Sequence, residues 1–121
     1  MAFKGESRGH LKVRDLLEMN GFEWEEEYFF EDLKASSGWP LRFDFMVFDH
    51  GGNIDFAIEV QGEQHYKPVK AFGGVKKLKR QRYNDQQKRL YCRKNGIPLV
   101  EIPYWELDKV DIEWILEEAG I

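Results

Sequence analysis

The chain has 121 residues, 42% hydrophobic, 15% aromatic and 33% charged, with a net charge of -4. That is the size of one domain with enough apolar material for a core, so the charge describes a surface and excludes a disordered chain. Cys92 is the single cysteine, which excludes an internal disulfide, and no stretch is apolar enough for a membrane span or a secretory segment; one intracellular, cytoplasmic domain over residues 1–121 is expected.

In chain order, Ser7 caps a helix predicted to run to about Met19, where Asn20 and Gly21 stop it. On its wheel Val13, Leu16 and Leu17 form the inward stripe, His10 borders that stripe, and Glu18 points away. Residues 22–31, FEWEEEYFFE, are predicted as a strand and DLKASSGWP as a loop. LRFDFMVF alternates over 41–48, DHGGN supplies a turn, and IDFAIEVQ alternates over 54–61, which together predict a hairpin. A helix is predicted from about Lys76 to Asn95, with Gly96 at the left-handed cap. LVEIPY reads as a further strand and VDIEWILEEAG as a closing amphipathic helix. The order α-β-β-β-α-β-α predicts an α/β (α+β) fold, a mixed sheet flanked by helices. A right-handed crossover should set the last strand parallel to the third.

Period-two alternation places Phe43, Phe45 and Val47 on one face of the first hairpin strand, with Arg42, Asp44, Met46 and Phe48 on the other. In the second strand Ile54, Phe56, Ile58 and Val60 oppose Asp55, Ala57, Glu59 and Gln61. One face is thus expected to present Asp44, Glu59 and Gln61 together. Carboxylates inside such apolar runs require compensation. A metal ion would supply it, since Mg²⁺ accepts carboxylate oxygens, a backbone carbonyl and water; an ion pair with Arg42 or a helix lysine would do so equally. His10 can reach the sheet from the first helix, as a ligand or as a packed or capping residue.

Charge is divided unevenly along the chain. Residues 67–94 hold eleven Lys or Arg against Asp85 alone, a local +10 that leaves -14 for the rest. Lys67, Lys70, Lys76, Lys77, Lys79, Arg80, Arg82, Lys88 and Arg89 are therefore candidates for gripping the phosphates of nucleic acid, with Tyr83 and Tyr91 interleaved. A merely solvated helix face is the alternative. Phe72, in the loop KAFGGVKK, is a candidate wedge between bases.

Asp44 followed across the hairpin by Glu59-Val60-Gln61 resembles the motif of the PD-(D/E)XK nucleases, with Gln61 where lysine usually stands. The longer run RFDF, IEVQGEQHY, YNDQQKRLYC and GIPLVEIPYWE resembles the branch containing the very-short-patch-repair endonucleases and related phage and homing endonucleases. It covers roughly residues 7–106, nearly the whole chain.

The resemblance implies a restriction-endonuclease-like core and a DNA endonuclease, phage or mobile-element encoded and dependent on Mg²⁺, with Mn²⁺ an alternative that imidazole suits better. It implies Asp44 as the central ligand, His65 as the active-site histidine and Asp85 as the helix aspartate; on this basis Asp44 and Glu59 are expected as direct ligands, with the Val60 carbonyl and His10 completing the metal sphere. Gln61 would orient water, and His65 would act as general base or acid beside Asp85. Glu63, Gln64 and Tyr66 are left as surface or supporting residues. His10 stands where relatives carry an acidic residue, and Gln61 brings no charge. A catalytically inactive DNA-binding module of the same fold is therefore the alternative, and an interaction protein suggested by WEEEYFFED and YWELD a third. Specificity would come from loops, a homodimer or a partner protein.

Overall fold

The structure is a computed structural model and describes residues 7–68 and 73–121. Lys70 and Phe72 lie outside the described residues, as does the side chain of Gln64. The elements are helix α1 (Arg8–Met19), strands β1 (Glu23–Lys34), β2 (Pro40–Phe48) and β3 (Ile54–Gln61), helix α2 (Gly74–Asn95), strand β4 (Leu99–Pro103) and helix α3 (Ile112–Glu118). Short 3₁₀ turns follow β3, at Glu63–His65, and β4, at Tyr104–Lys109. The predicted order of helices and strands is the observed one.

The caps explain the boundaries. Ser7 accepts the His10 amide at 3.2 Å and starts α1; Asp111 accepts the Trp114 amide at 2.8 Å and starts α3. Gly96, at φ 68°, closes α2 in the left-handed conformation a side chain resists. β1 extends past its predicted end at residue 31. Leu33 buries its side chain, and Lys34 pairs with Pro40 across an irregularity in the β1–β2 ladder. Three residues of alternation were too few to read as strand amid DLKASSGWP.

The sheet has the order β1-β2-β3-β4, with the first two pairings antiparallel and β3–β4 parallel, as the crossover through α2 requires. One face packs on α1 and α3 through Val13, Leu17, Phe45, Val47, Ile58 and Ile115; the other packs on α2 through Met46, Ala57 and Cys92. β2 and β3 are covered on both sides, hence their nearly continuous apolar runs.

The expected common face of Phe43, Phe45 and Val47 is broken. Phe45 and Val47 pack toward α1, whereas Phe43 packs with Leu41, Met46 and Cys92 on the α2 side. The break coincides with Asp44. There the regular β2–β3 ladder starts only at Phe45, and Glu27 on β1 adopts φ 54°, a left-handed conformation costly for a residue with a Cβ. The sheet opens at this point, and the site occupies the opening.

Candidate functional site

A cavity of about 640 Å³ lies where α1, the middle of β2, the end of β3, α2 and the Tyr104–Lys109 turn meet. Gly9 lets α1 approach: a Cβ there would stand 2.5 Å from Cγ1 of Val60. The close crossing carries His10 to the sheet, its Nε2 3.3 Å from Asp44 Oδ1 and 3.9 Å from Glu27 Oε1. The His10 pKa is raised, chiefly by its hydrogen bond to Asp44, against the opposing effect of burial. Burial pushes the Asp44 carboxyl up, but the His10 hydrogen bond and charge, with the Val60 amide donating to Oδ2 at 2.7 Å, hold it below its ordinary value.

One ligand-type atom from each of His10, Glu27 and Asp44 lies within 4.8 Å of the others. An imidazole and two carboxylates form a donor set that suits Mn²⁺ and, less well, Mg²⁺. Glu27 was not anticipated. Its signal was the run of glutamates on β1, but period two alone reads it as an exposed residue of an edge strand, which it also is.

Glu59, expected as a direct ligand, has both oxygens engaged by the protein. Oε1 accepts from the Lys88 ammonium and Oε2 from the Asp44 amide at 3.0 Å. Burial and the Asp44 charge raise the Glu59 pKa well above its ordinary value, against the pull of Lys88. Burial alone would lower the Lys88 pKa; the attraction of Glu59 outweighs it and keeps the ammonium charged. The buried carboxylate is thus compensated by a helix lysine. Arg42 does not serve this purpose: it donates to the Glu27 carbonyl at 3.0 Å and lies over the Phe29 ring.

The expectation that Asp44, Glu59 and Gln61 share one face is corrected accordingly. Asp44 turns to α1 and Glu59 to α2, because the opening at Asp44 removes the regular alternation, although all three line the cavity. Gln61, 2% exposed, is held at both ends: Nε2 donates to Glu101 Oε2 at 2.5 Å, and Oε1 accepts from the Tyr66 hydroxyl. Burial, with Glu101 and Asp85 adding to it, pushes that phenol up to about 12, so it stays a donor. Val60 lines the same cavity.

His65 and Asp85, 20 residues apart, are brought together as expected. His65 Nδ1 stands 2.9 Å from Asp85 Oδ2, and Gln81 donates to Asp85 Oδ1 at 3.2 Å. Fixing one ring nitrogen in this way leaves the other for chemistry.

Of the candidate phosphate contacts, Lys67, Lys76, Lys77, Lys79, Arg80 and Arg82 are exposed. Two are not available as free surface charges. Lys88 is buried against Glu59, and the Arg89 fork is bound to Glu101 at 2.7 Å through both Nε and Nη2. The reason is helical spacing: Leu78, Asp85, Lys88 and Cys92 recur at 7, 3 and 4 residues along the inward face of α2. That spacing was legible, but charge alone hid it. A second cavity of about 530 Å³ runs along the outer side of α2, lined by Ser36, Ser37, Lys77, Arg80 and Tyr83; it shares Gln81 with the first.

No helix among the described residues is long and apolar enough to cross a membrane. The chain is 34% identical over 102 residues to uncharacterized protein 094L of Frog virus 3 (isolate Goorha), an alignment covering 82% of this chain and 63% of that protein. It is 31% identical over 71 residues to uncharacterized protein 307L of Invertebrate iridescent virus 6, covering 58% of this chain and 36% of that protein. The chain therefore spans less than two thirds of the length of these two curated relatives. No family model and no solved structure matches it.

Proposed function

We propose that this chain is a metal-dependent DNA endonuclease with a restriction-endonuclease-like core of the PD-(D/E)XK kind. One observation carries the reading: His10 and Asp44, which with Glu27 form a donor set fit for a divalent cation, line one cavity together with His65, whose ring is held by Asp85, beside a basic helix. His10, Asp44 and Glu27 would hold Mg²⁺ or Mn²⁺, which supplies Lewis-acid polarisation of a phosphoryl oxygen. The Lys77 and Arg80 groove grips neighbouring phosphates, contributing affinity without sequence information. A viral or mobile-element setting accords with the viral relatives.

In hydrolysis a water oxygen bonds to phosphorus, the bond from phosphorus to the 3′ oxygen breaks, and the water's proton must reach that leaving oxygen. With Nδ1 committed to Asp85, His65 has Nε2 to take the proton and return it. Gln61 offers its remaining amide hydrogen and lone pair to orient the water.

The test is supercoiled plasmid incubated with Mg²⁺, Mn²⁺ or EDTA, beside Asp44→Ala. Metal-dependent nicking is expected, lowered at least about a hundredfold in the variant, the loss of several kcal/mol of transition-state stabilisation. Cleavage at the same rate in the variant would sink the assignment. A second reading, a DNA-binding module without catalysis, is favoured by the clamping of Gln61 and the pairing of Glu59 with Lys88. Its signature is salt-sensitive retardation of DNA with no nicking.

A further inference from the structure

Beside the cavity, three aromatic rings that the proposed chemistry does not use lie in mutual contact. Tyr66 and Trp105 have ring centroids 4.6 Å apart, Tyr104 and Trp105 5.2 Å, and Tyr66 and Tyr104 5.9 Å. Trp105 is 56% exposed and is the outermost ring of the cluster, apolar in body with a polar N–H edge. The cluster is tied to the site at two points. Tyr104 lines the main cavity, and the Tyr66 hydroxyl donates to Gln61. Its margin is cationic: the Lys67 ammonium stands 5.9 Å from the centre of the Tyr104 ring, and Arg82 donates to the Tyr66 carbonyl at 3.3 Å.

Resting on the nuclease reading, we infer that the exposed Trp105, with Tyr104 set edge-on to it at 82°, forms a stacking platform for one unpaired nucleobase next to the scissile phosphate, with Lys67 and Arg82 on its flanking phosphates. Three features select this occupant. Exposed aromatic rings interleaved with cations are how proteins hold single strands, because every base has a π face and every linkage a negative charge. An uncharged peptide or lipid partner would offer nothing to the cations at the margin, of which Lys67 stands 3.9 Å from Glu63 on its own chain. The platform also adjoins a cavity whose floor, Glu59 and Gln61, is at most 4% exposed, and a phosphate can reach such a floor more readily on a strand freed from its duplex. The substrate class is thus DNA with an unpaired nucleotide, such as a flap, a mismatch or a single-stranded end.

The experiment is fluorescence-anisotropy titration in EDTA of the full chain with labelled oligothymidylate and with the same oligonucleotide made abasic throughout. Trp105→Ala is expected to weaken oligothymidylate binding about tenfold. It should leave the abasic strand, which keeps its phosphates, unchanged. Trp105→Phe should restore most of the difference, and circular dichroism checks the fold of both variants. Equal loss on both strands, or no loss on either, overturns the platform. Plasmid cleavage with Mn²⁺ is measured alongside: wild type that cleaves but fails the oligonucleotide test leaves the nuclease reading standing and removes only the platform. Wild type that neither cleaves nor binds removes both.

Discussion

The two flanks of the site treat their carboxylates in opposite ways. On the α2 flank Glu59 is 4% exposed, and both its oxygens are met by protein donors, Lys88 and the Asp44 amide. On the α1 flank Asp44 and Glu27 share one imidazole, and Glu27 remains exposed. The first arrangement is closed and serves to hold two layers together; the second leaves Asp44 and His10 lining the cavity, with Glu27 exposed beside them. Motif residues that look equivalent in sequence are therefore divided between structure and chemistry by what each helix brings to them.

The largest effect that would break this comparison is at Lys88. Lys88→Met should destabilise the fold by about 3–5 kcal/mol in urea unfolding, the usual cost of leaving one partner of a buried pair uncompensated. Adding Glu59→Gln should recover much of the loss. A Lys88→Met protein as stable as wild type would mean that the α2 flank is not the closed one.

Gly9→Ala comes next. Its methyl would meet Val60 at 2.5 Å, so α1 must shift or Val60 repack, an overpacking cost of about 1–3 kcal/mol. The α1 flank should suffer beyond stability, with plasmid nicking reduced at temperatures where the variant stays folded. Unchanged nicking would show that the close helix crossing does not position His10.

The smallest and sharpest change is Glu27→Gly. Glycine accepts φ 54° freely, so stability should be equal or higher by up to about 1 kcal/mol, whereas removing a carboxylate from the cation group should weaken Mn²⁺ binding about tenfold by calorimetry. A variant that is less stable and binds Mn²⁺ as well as wild type would place Glu27 in the fold and not in the site. The opposed signs make this the clearest measure of how the α1 flank differs from the α2 flank.

Much of the fold was legible because local rules and burial agreed. Ser7 and Gly96 mark their helix ends through backbone groups they satisfy nearby, and the runs of β2 and β3 announce strands covered on both sides. The pairing of His65 with Asp85 could be anticipated from resemblance and confirmed as a contact by the packing of α2. The site was legible only in part. Asp44, Glu59 and Gln61 were singled out correctly as cavity residues, yet strict alternation assigned them one face.

The sequence by itself determined which segments are helix and strand, their order, the mixed sheet, and the concentration of positive charge on one helix, because propensity, capping and periodicity act over a few residues. Only the tertiary structure decided the partners. A backbone opening at Asp44, a left-handed Glu27 and a glycine-thin contact at Gly9 together turn one carboxylate toward His10 and leave the other to Lys88. Those choices depend on strand register and helix approach, which join residues 15 to 51 positions apart, beyond the reach of any local pattern.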